Sequence, residues 1–156
     1  MIFAPYVVDL APREPLPVDS AVQHVPFPTD GDFVERWWRL NVTDFSRPGK
    51  WYSAMIDGHE MARVQLRIDS AIGASFPTAP RPPRGFLQIV YIEVANHHLG
   101  LGIGPAVIAA ISAAHPHNLL AAHSSADGFW AEKMRWEAHA HVDGGRHPSL
   151  LFVSPA

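Results

Sequence analysis

Between Phe86 and Ala114 the chain passes from a largely apolar run, through a loop of alternating glycines, into an alanine-rich segment. No other stretch restricts the fold as strongly. Phe86-Leu-Gln-Ile-Val-Tyr-Ile-Glu-Val94 is rich in β-branched and aromatic residues, which predicts a buried strand. Leu99-Gly-Leu-Gly-Ile-Gly104 follows after a short turn. Pro105 then opens a predicted helix, a position where the missing N–H of proline has no partner to lose. Glycines let the backbone come close to an anion. The first turn of a helix adds free N–H groups and partial positive charge. The unit therefore points to a phosphate-bearing ligand. Taken alone, the loop also reads as a tight strand-to-helix turn that holds nothing.

The loop is a weak match for nicotinamide dinucleotides and for nucleoside triphosphates. Gly100, Gly102 and Gly104 alternate, and Val107 stands where a dinucleotide-binding GxGxxG has its last glycine. The lysine and hydroxyl of a P-loop are missing. No acidic residue follows at the spacing of a ribose contact; the next is Asp127. The flanking segments narrow the fold. Trp51 to Ile68 is two strand-like runs joined by Asp57-Gly58, a hairpin signal. Leu119 to His123 predicts a short strand, Ala126 to Trp136 a helix, and Leu150 to Val153 a last strand. Asp30 to Leu40 predicts a helix, with Thr29 and Asp32 as a capping pair and Phe33, Trp37 and Leu40 on one face.

This order resembles the GNAT superfamily of N-acetyltransferases over roughly Trp51 to Val153. Leu99 to Gly104 is similar to the family's acetyl-CoA pyrophosphate loop, (Gln/Arg)-x-x-Gly-x-Gly. Glu132-Lys-Met-Arg-Trp136 resembles the Glu-Lys-Leu-Gly-Phe ending of its last helix. The hairpin around Met55-Ile-Asp-Gly-His-Glu60 resembles the strand pair before its central strand. The sequence departs from the pattern at several positions. Leu99 replaces Gln or Arg, Pro105 removes an amide just after the loop, and Arg135 replaces glycine. Ala131 takes the place of the tyrosine that many members use as an acid toward the coenzyme sulfur.

The resemblance implies an α/β (α+β) domain with a mixed, splayed sheet and helices on both faces. It divides the chain into a proline-rich segment, 1–29, and one acyltransferase domain, 30–156. Acetyl-CoA would be the co-substrate. Val94 would pair its backbone with the pantetheine arm, and Leu99, Gly100, Leu101, Gly102, Ile103 and Gly104 would hold the pyrophosphate. The implied activity is direct transfer of an acetyl group to the amine of a small molecule or peptide. Glu93, one residue before the family's strand bulge, and His123, at the end of the next strand, are the candidate bases. Gln88 falls where some members carry a glutamate base and would serve by hydrogen bonding. The class to set against this is a noncatalytic coenzyme A-binding or interaction domain.

Composition agrees with one soluble core. The chain has 156 residues, 47% of them hydrophobic, and a net charge of −3, which argues against nonspecific nucleic-acid binding and docking on an anionic membrane. It has no cysteine, hence no disulfide framework, thiolate zinc site or cysteine nucleophile. The first residues lack a basic start and are broken by Pro5 and Asp9, so no signal peptide is expected and a cytoplasmic location is the default. Ala11 to Pro28 reads as extended, and Ser70 to Arg84 as a loop long enough for a lid, a substrate wall or a homodimer contact.

The remaining titratable and aromatic residues have plain readings. His139 and His141 alternate, but a metal site needs a third ligand and no HExxH accompanies them, so no metal is expected. Tyr91 and the five tryptophans read as core or subunit-interface residues. Magnitudes favour catalysis despite Ala131. A protonated alkyl amine with a pKa near ~10.4 costs about 4 kcal/mol to neutralise at pH 7. A base contributes ~10²–10⁴ in rate, whereas positioning two reactants contributes ~7–11 kcal/mol.

Overall fold

The hairpin around Asp57-Gly58 forms as the sequence predicts. In the computed structural model, strands β5 (Lys50–Ile56) and β6 (His59–Ser70) flank a turn in which Asp57 and Gly58 have φ of 50° and 77°. Two successive positive φ values match the twist of the paired strands. The structure describes residues 6–18, 20–28, 30–41, 49–125, 128–146 and 149–156, without the side chains of 16–18, 20–24 and 40–41.

Ten strands are described. β1 (Asp9–Arg13), β2 (Leu16–Val18), β3 (Ser20–Val25) and β4 (Leu40–Asn41) precede the hairpin; β7 (Phe86–Val94), β8 (Leu120–Ser124), β9 (Glu137–His139) and β10 (Leu150–Val153) follow it. Seven form one mostly antiparallel sheet in the order β1-β5-β6-β7-β8-β10-β9, and β2-β3-β4 form a second. β1 lies antiparallel to β5, with Pro12 opposite Tyr52. It is an edge strand, where proline does not interrupt a ladder on its free side. β7 and β8 are parallel, paired at Leu87 with Leu120 and at Gln88 with Ala121. The fold is thus mixed α+β.

Helices on both faces, as the resemblance implies, are not found among the described residues. One α-helix is described, α1 (Ile103–Ala114). It starts two residues before Pro105. The segment expected as a helix over 30–40 instead makes a single 3-10 turn, Glu35–Trp38. The apolar spacing misled there. Phe33 and Trp38 are the buried pair, and Trp37 is 51% exposed. Local polar bonds compete with a helix: Asp30 Oδ1 accepts from the Asp32 amide, 2.9 Å. Thr29 lies outside the described residues. The helix expected over 126–136 is a six-residue π-helical turn, Gly128–Lys133. The Met134 amide reaches back to Phe129 O and the Trp136 amide to Trp130 O. No helix among the described residues is long and apolar enough to cross a membrane.

By contacts the chain falls into two compact units, Met1–Gln65 with Tyr91–Ile111, and Leu66–Val90 with Ser112–Ala156. The first has a cluster of Val25, Phe27, Trp38 and Trp51. The second is built on Phe76, Phe86, Ala121, Leu151 and Val153.

Candidate functional site

The glycine loop leaves the end of β7 through a 3-10 turn, Asn96–His98, and enters α1. Gly100 and Gly102 both hold left-handed φ, 78° and 79°. A Cβ built on Gly100 meets nothing within 4 Å, so conformation and not crowding requires glycine there. Leu99 and Leu101 are 61% and 55% exposed, an unusual position for two leucines. Ile103 and Gly104 are buried as the helix begins. The Ala106 amide makes the first bond of the helical turn, to Gly102 O at 3.3 Å. The amides of Ile103 and Gly104 precede it and have no acceptor within the helix, while Pro105 has no N–H. The exposed backbone of the loop is therefore Leu99 to Leu101, with Gly102 half-buried behind it.

The segment 30–38 clamps the approach to this loop. Glu93, half-buried near the end of β7, accepts from the Trp38 indole N–H at Oε1 and from the Val34 amide at Oε2, both 2.7 Å. The Asn96 amide donates to Asp32 O, 2.9 Å. The Asp32 carboxylate meets His97 Nδ1 in a close contact. The Tyr6 hydroxyl donates to Leu101 O, 3.0 Å. Glu93 thus carries an anchoring duty that its strand position did not reveal. Val94 is half-buried beside it. Tyr91 is no core residue: it is 54% exposed, and its ring meets Trp38 edge-on at 6.2 Å.

Gln88 and His123 fall in the other unit. Gln88 is 6% exposed, and its Oε1 accepts from Ser70 Oγ, 2.7 Å. His123 is exposed at the end of β8, its ring edge-on to Phe76 at 5.5 Å. The structure thus groups Glu93, Val94 and the loop in one unit, and Gln88 with His123 in the second. His139 is 3% exposed with Nδ1 2.8 Å from Thr78 Oγ1. His141 lies beyond the end of β9 and accepts from the Asp143 amide. Among the described residues no three His, Asp or Glu side chains gather as metal ligands.

Two residues of this region escaped sequence reasoning. Asp32 was read as a helix cap, and it serves as a clamp on the turn before the loop. Trp38 reads as core and is core, 1% exposed; what the sequence does not show is that its indole also holds Glu93. A tryptophan beside an acidic strand end gives no one-dimensional signal. Comparison with protein families, with curated proteins and with solved structures gives no significant match for this chain.

Proposed function

We propose that the chain binds acetyl-CoA through Leu99 to Gly104 and transfers its acetyl group to an amine. The observation that carries this reading is the pair of left-handed glycines on an exposed loop running from a strand end into the first turn of α1. A helix start supplies free backbone N–H groups and partial positive charge, and positive-φ glycines let an anion come close, which suits a pyrophosphate. Two further features support the resemblance to N-acetyltransferases. The described parallel ladder of β7 and β8 is only two pairs long, in keeping with strands that splay. Arg135 has a φ of 55°, the left-handed conformation for which the family motif has glycine.

In this reaction the amine nitrogen attacks the thioester carbon. An N–C bond forms, the C–S bond breaks, and the coenzyme leaves as thiolate. Glu93 or His123 takes the amine proton, directly or through water. With Ala131 at the tyrosine position, no side-chain acid is assigned to the sulfur. The acceptor is a small molecule or peptide amine, and the setting is the cytoplasm. A general base gives a rate that rises with pH, and the variant lacking it loses about 10²–10⁴ in rate at neutral pH, less at high pH. Glu93→Gln and His123→Ala are the variants to compare. If both retain full rate at every pH, neither is the base.

A noncatalytic coenzyme A-binding domain is the second reading, favoured by one observation: both Glu93 oxygens are engaged by protein donors. Titration calorimetry with acetyl-CoA, followed by mass spectrometry of an amine panel, separates the two. Binding with acetylated product supports the transferase, and binding without product the second reading. No heat at millimolar acetyl-CoA excludes both.

A further inference from the structure

The insert between β6 and β7 shapes an open cleft. A cavity of about 810 Å³ is lined by Arg81, Arg84, Asp69, Asn118, Ile68 and Phe86, together with the backbone around Gly85. That volume falls within the range of small-molecule sites. All of these residues belong to the unit Leu66–Val90 with Ser112–Ala156. The insert is well anchored. Phe76 and Ala79 are buried, Ser70 Oγ receives the Ile72 amide and donates to Gln88, and Ser75 O accepts from the Val142 amide at 2.8 Å.

The two arginines stand on a stiff frame. The sequence is Arg81-Pro-Pro-Arg84, and the Gly85 amide closes a turn on Pro82 O at 2.9 Å. Two prolines fix the backbone torsion between the guanidinium-bearing residues, so little chain entropy is lost when both engage one ligand. Gly85 has a φ of 71°, and a Cβ there falls 2.7 Å from Ser70 O; the turn is pressed directly onto the end of β6. Among the described residues neither Arg81 nor Arg84 has a hydrogen-bond or ion-pair partner. Asp69 is the one carboxylate on the lining, so the lining carries a net positive charge. Its apolar lining, from Ile68, Ala71, Ala74, Pro80 and Pro82, suits an organic body behind the charged head.

We infer that this cavity is a binding site for a small organic oxyanion, carboxylate- or phosphate-headed, received by Arg81 and Arg84. The guanidinium fork matches both head groups in bidentate geometry. The site stands apart from the acetyl-transfer reading and does not depend on it.

The test is titration of the full chain, followed by amide NMR, with inorganic phosphate, phenylphosphate, succinate and benzoate as probes. A saturable shift at Gly85 and Asn118 is expected, with a dissociation constant on the order of 1 mM or below at low salt. Phenylphosphate against benzoate, which share the ring, tells a phosphate head from a carboxylate head by which binds tighter. Arg81→Ala with Arg84→Ala should weaken binding by about tenfold or more, because the charge-assisted bonds are lost. Both positions are exposed, and unchanged circular dichroism checks that the variant folds. Arg81→Gln with Arg84→Gln is the second variant and should show the same loss. Butylammonium is the cationic control. No saturable shift from any anion, equal binding by the variants, or butylammonium binding as tightly as the anions each overturns the proposal.

Discussion

A guanidinium at 1% exposure needs partners for its charge, and Arg63 has them within its own unit. Its Nε and one terminal nitrogen donate to Glu60 Oε1 at 3.1 and 2.9 Å, and that same nitrogen donates to Pro28 O at 2.7 Å. The plane lies 4.0 Å from the centroid of Phe33 and 4.9 Å from that of Phe27. Glu60 also accepts from the Ser53 hydroxyl, which in turn receives Arg13 Nε at 2.8 Å. Ala62, Arg63 and Val64 are buried in succession, so both faces of β6 are covered there. Truncating Arg63 removes the guanidinium from Glu60 Oε1 and leaves the carboxylate its Ser53 bond but no countercharge from Arg63. Arg63→Ala should therefore cost about 3–5 kcal/mol in urea unfolding, a large part of the stability of an ordinary domain. Arg63→Lys should restore little, because an ammonium cannot stack between two rings and fork onto a carboxylate. Gly85 gives a second expectation of the same kind. Gly85→Ala combines a left-handed φ with a clash on Ser70 O and should cost about 1–3 kcal/mol. Gly31→Ala, with nothing within 4 Å and no positive φ, is the control and should be near neutral.

The elements that carry their own local signal are those the sequence reveals. The Asp57-Gly58 hairpin, the strand Phe86–Val94, and the strands near 120 and 150 lie where turn chemistry and β-branched runs place them. Expectation and structure part where a long-range bond overrides the local pattern. Phe33, Trp37 and Leu40 match a helical face, yet the amide of Val34 is taken by Glu93, far along the chain, and the segment closes as one 3-10 turn. β1 lies partly and β2 wholly in the segment read as extended, and each contains a proline; β1 takes its ladder from β5, far along the chain, whereas β2 folds back on the adjacent β3. At the candidate site the loop was legible because glycines mark backbone conformation. The clamp of Asp32, Val34 and Trp38 was not, since it is a long-range hydrogen-bond set. The π-helical turn offers a test at this scale. Its chain leaves through Arg135 at φ 55°, after which Trp136 packs on Trp130 with centroids 4.8 Å apart. Removing a Cβ from a left-handed residue recovers about 1 kcal/mol, and the extra freedom of glycine in the unfolded chain offsets part of it. Arg135→Gly should thus be neutral to about 1 kcal/mol stabilising in thermal unfolding. A loss above about 1 kcal/mol would mean that the arginine side chain itself holds the turn.

For the molecule as a whole, the coenzyme reading makes a thermodynamic claim. A ligand bound only to the native state stabilises it by mass action, about 2.7 kcal/mol at a hundredfold excess over its dissociation constant. For a chain of this size each 1 kcal/mol moves the midpoint by about 2–4 °C, so acetyl-CoA at that excess should raise the melting temperature by about 5–11 °C. Leu99 to Gly104 lies within one of the two compact units, and calorimetry shows how far that stabilisation extends. One cooperative transition that moves as a whole means that the two units unfold together. Two transitions, of which one moves, mean that they do not. Gly102 then localises the effect. Valine there would strain a backbone at φ 79°, and its own instability would cloud the result. Asparagine tolerates the left-handed region and adds a side chain where the phosphates would approach. Gly102→Asn should therefore melt within about 2 °C of the parent without ligand, since a tolerated substitution of this kind changes stability by about 0.5 kcal/mol or less. It should also lose most of the acetyl-CoA shift. A variant that keeps the full shift would place the coenzyme away from this loop and remove the observation on which the acetyltransferase reading stands.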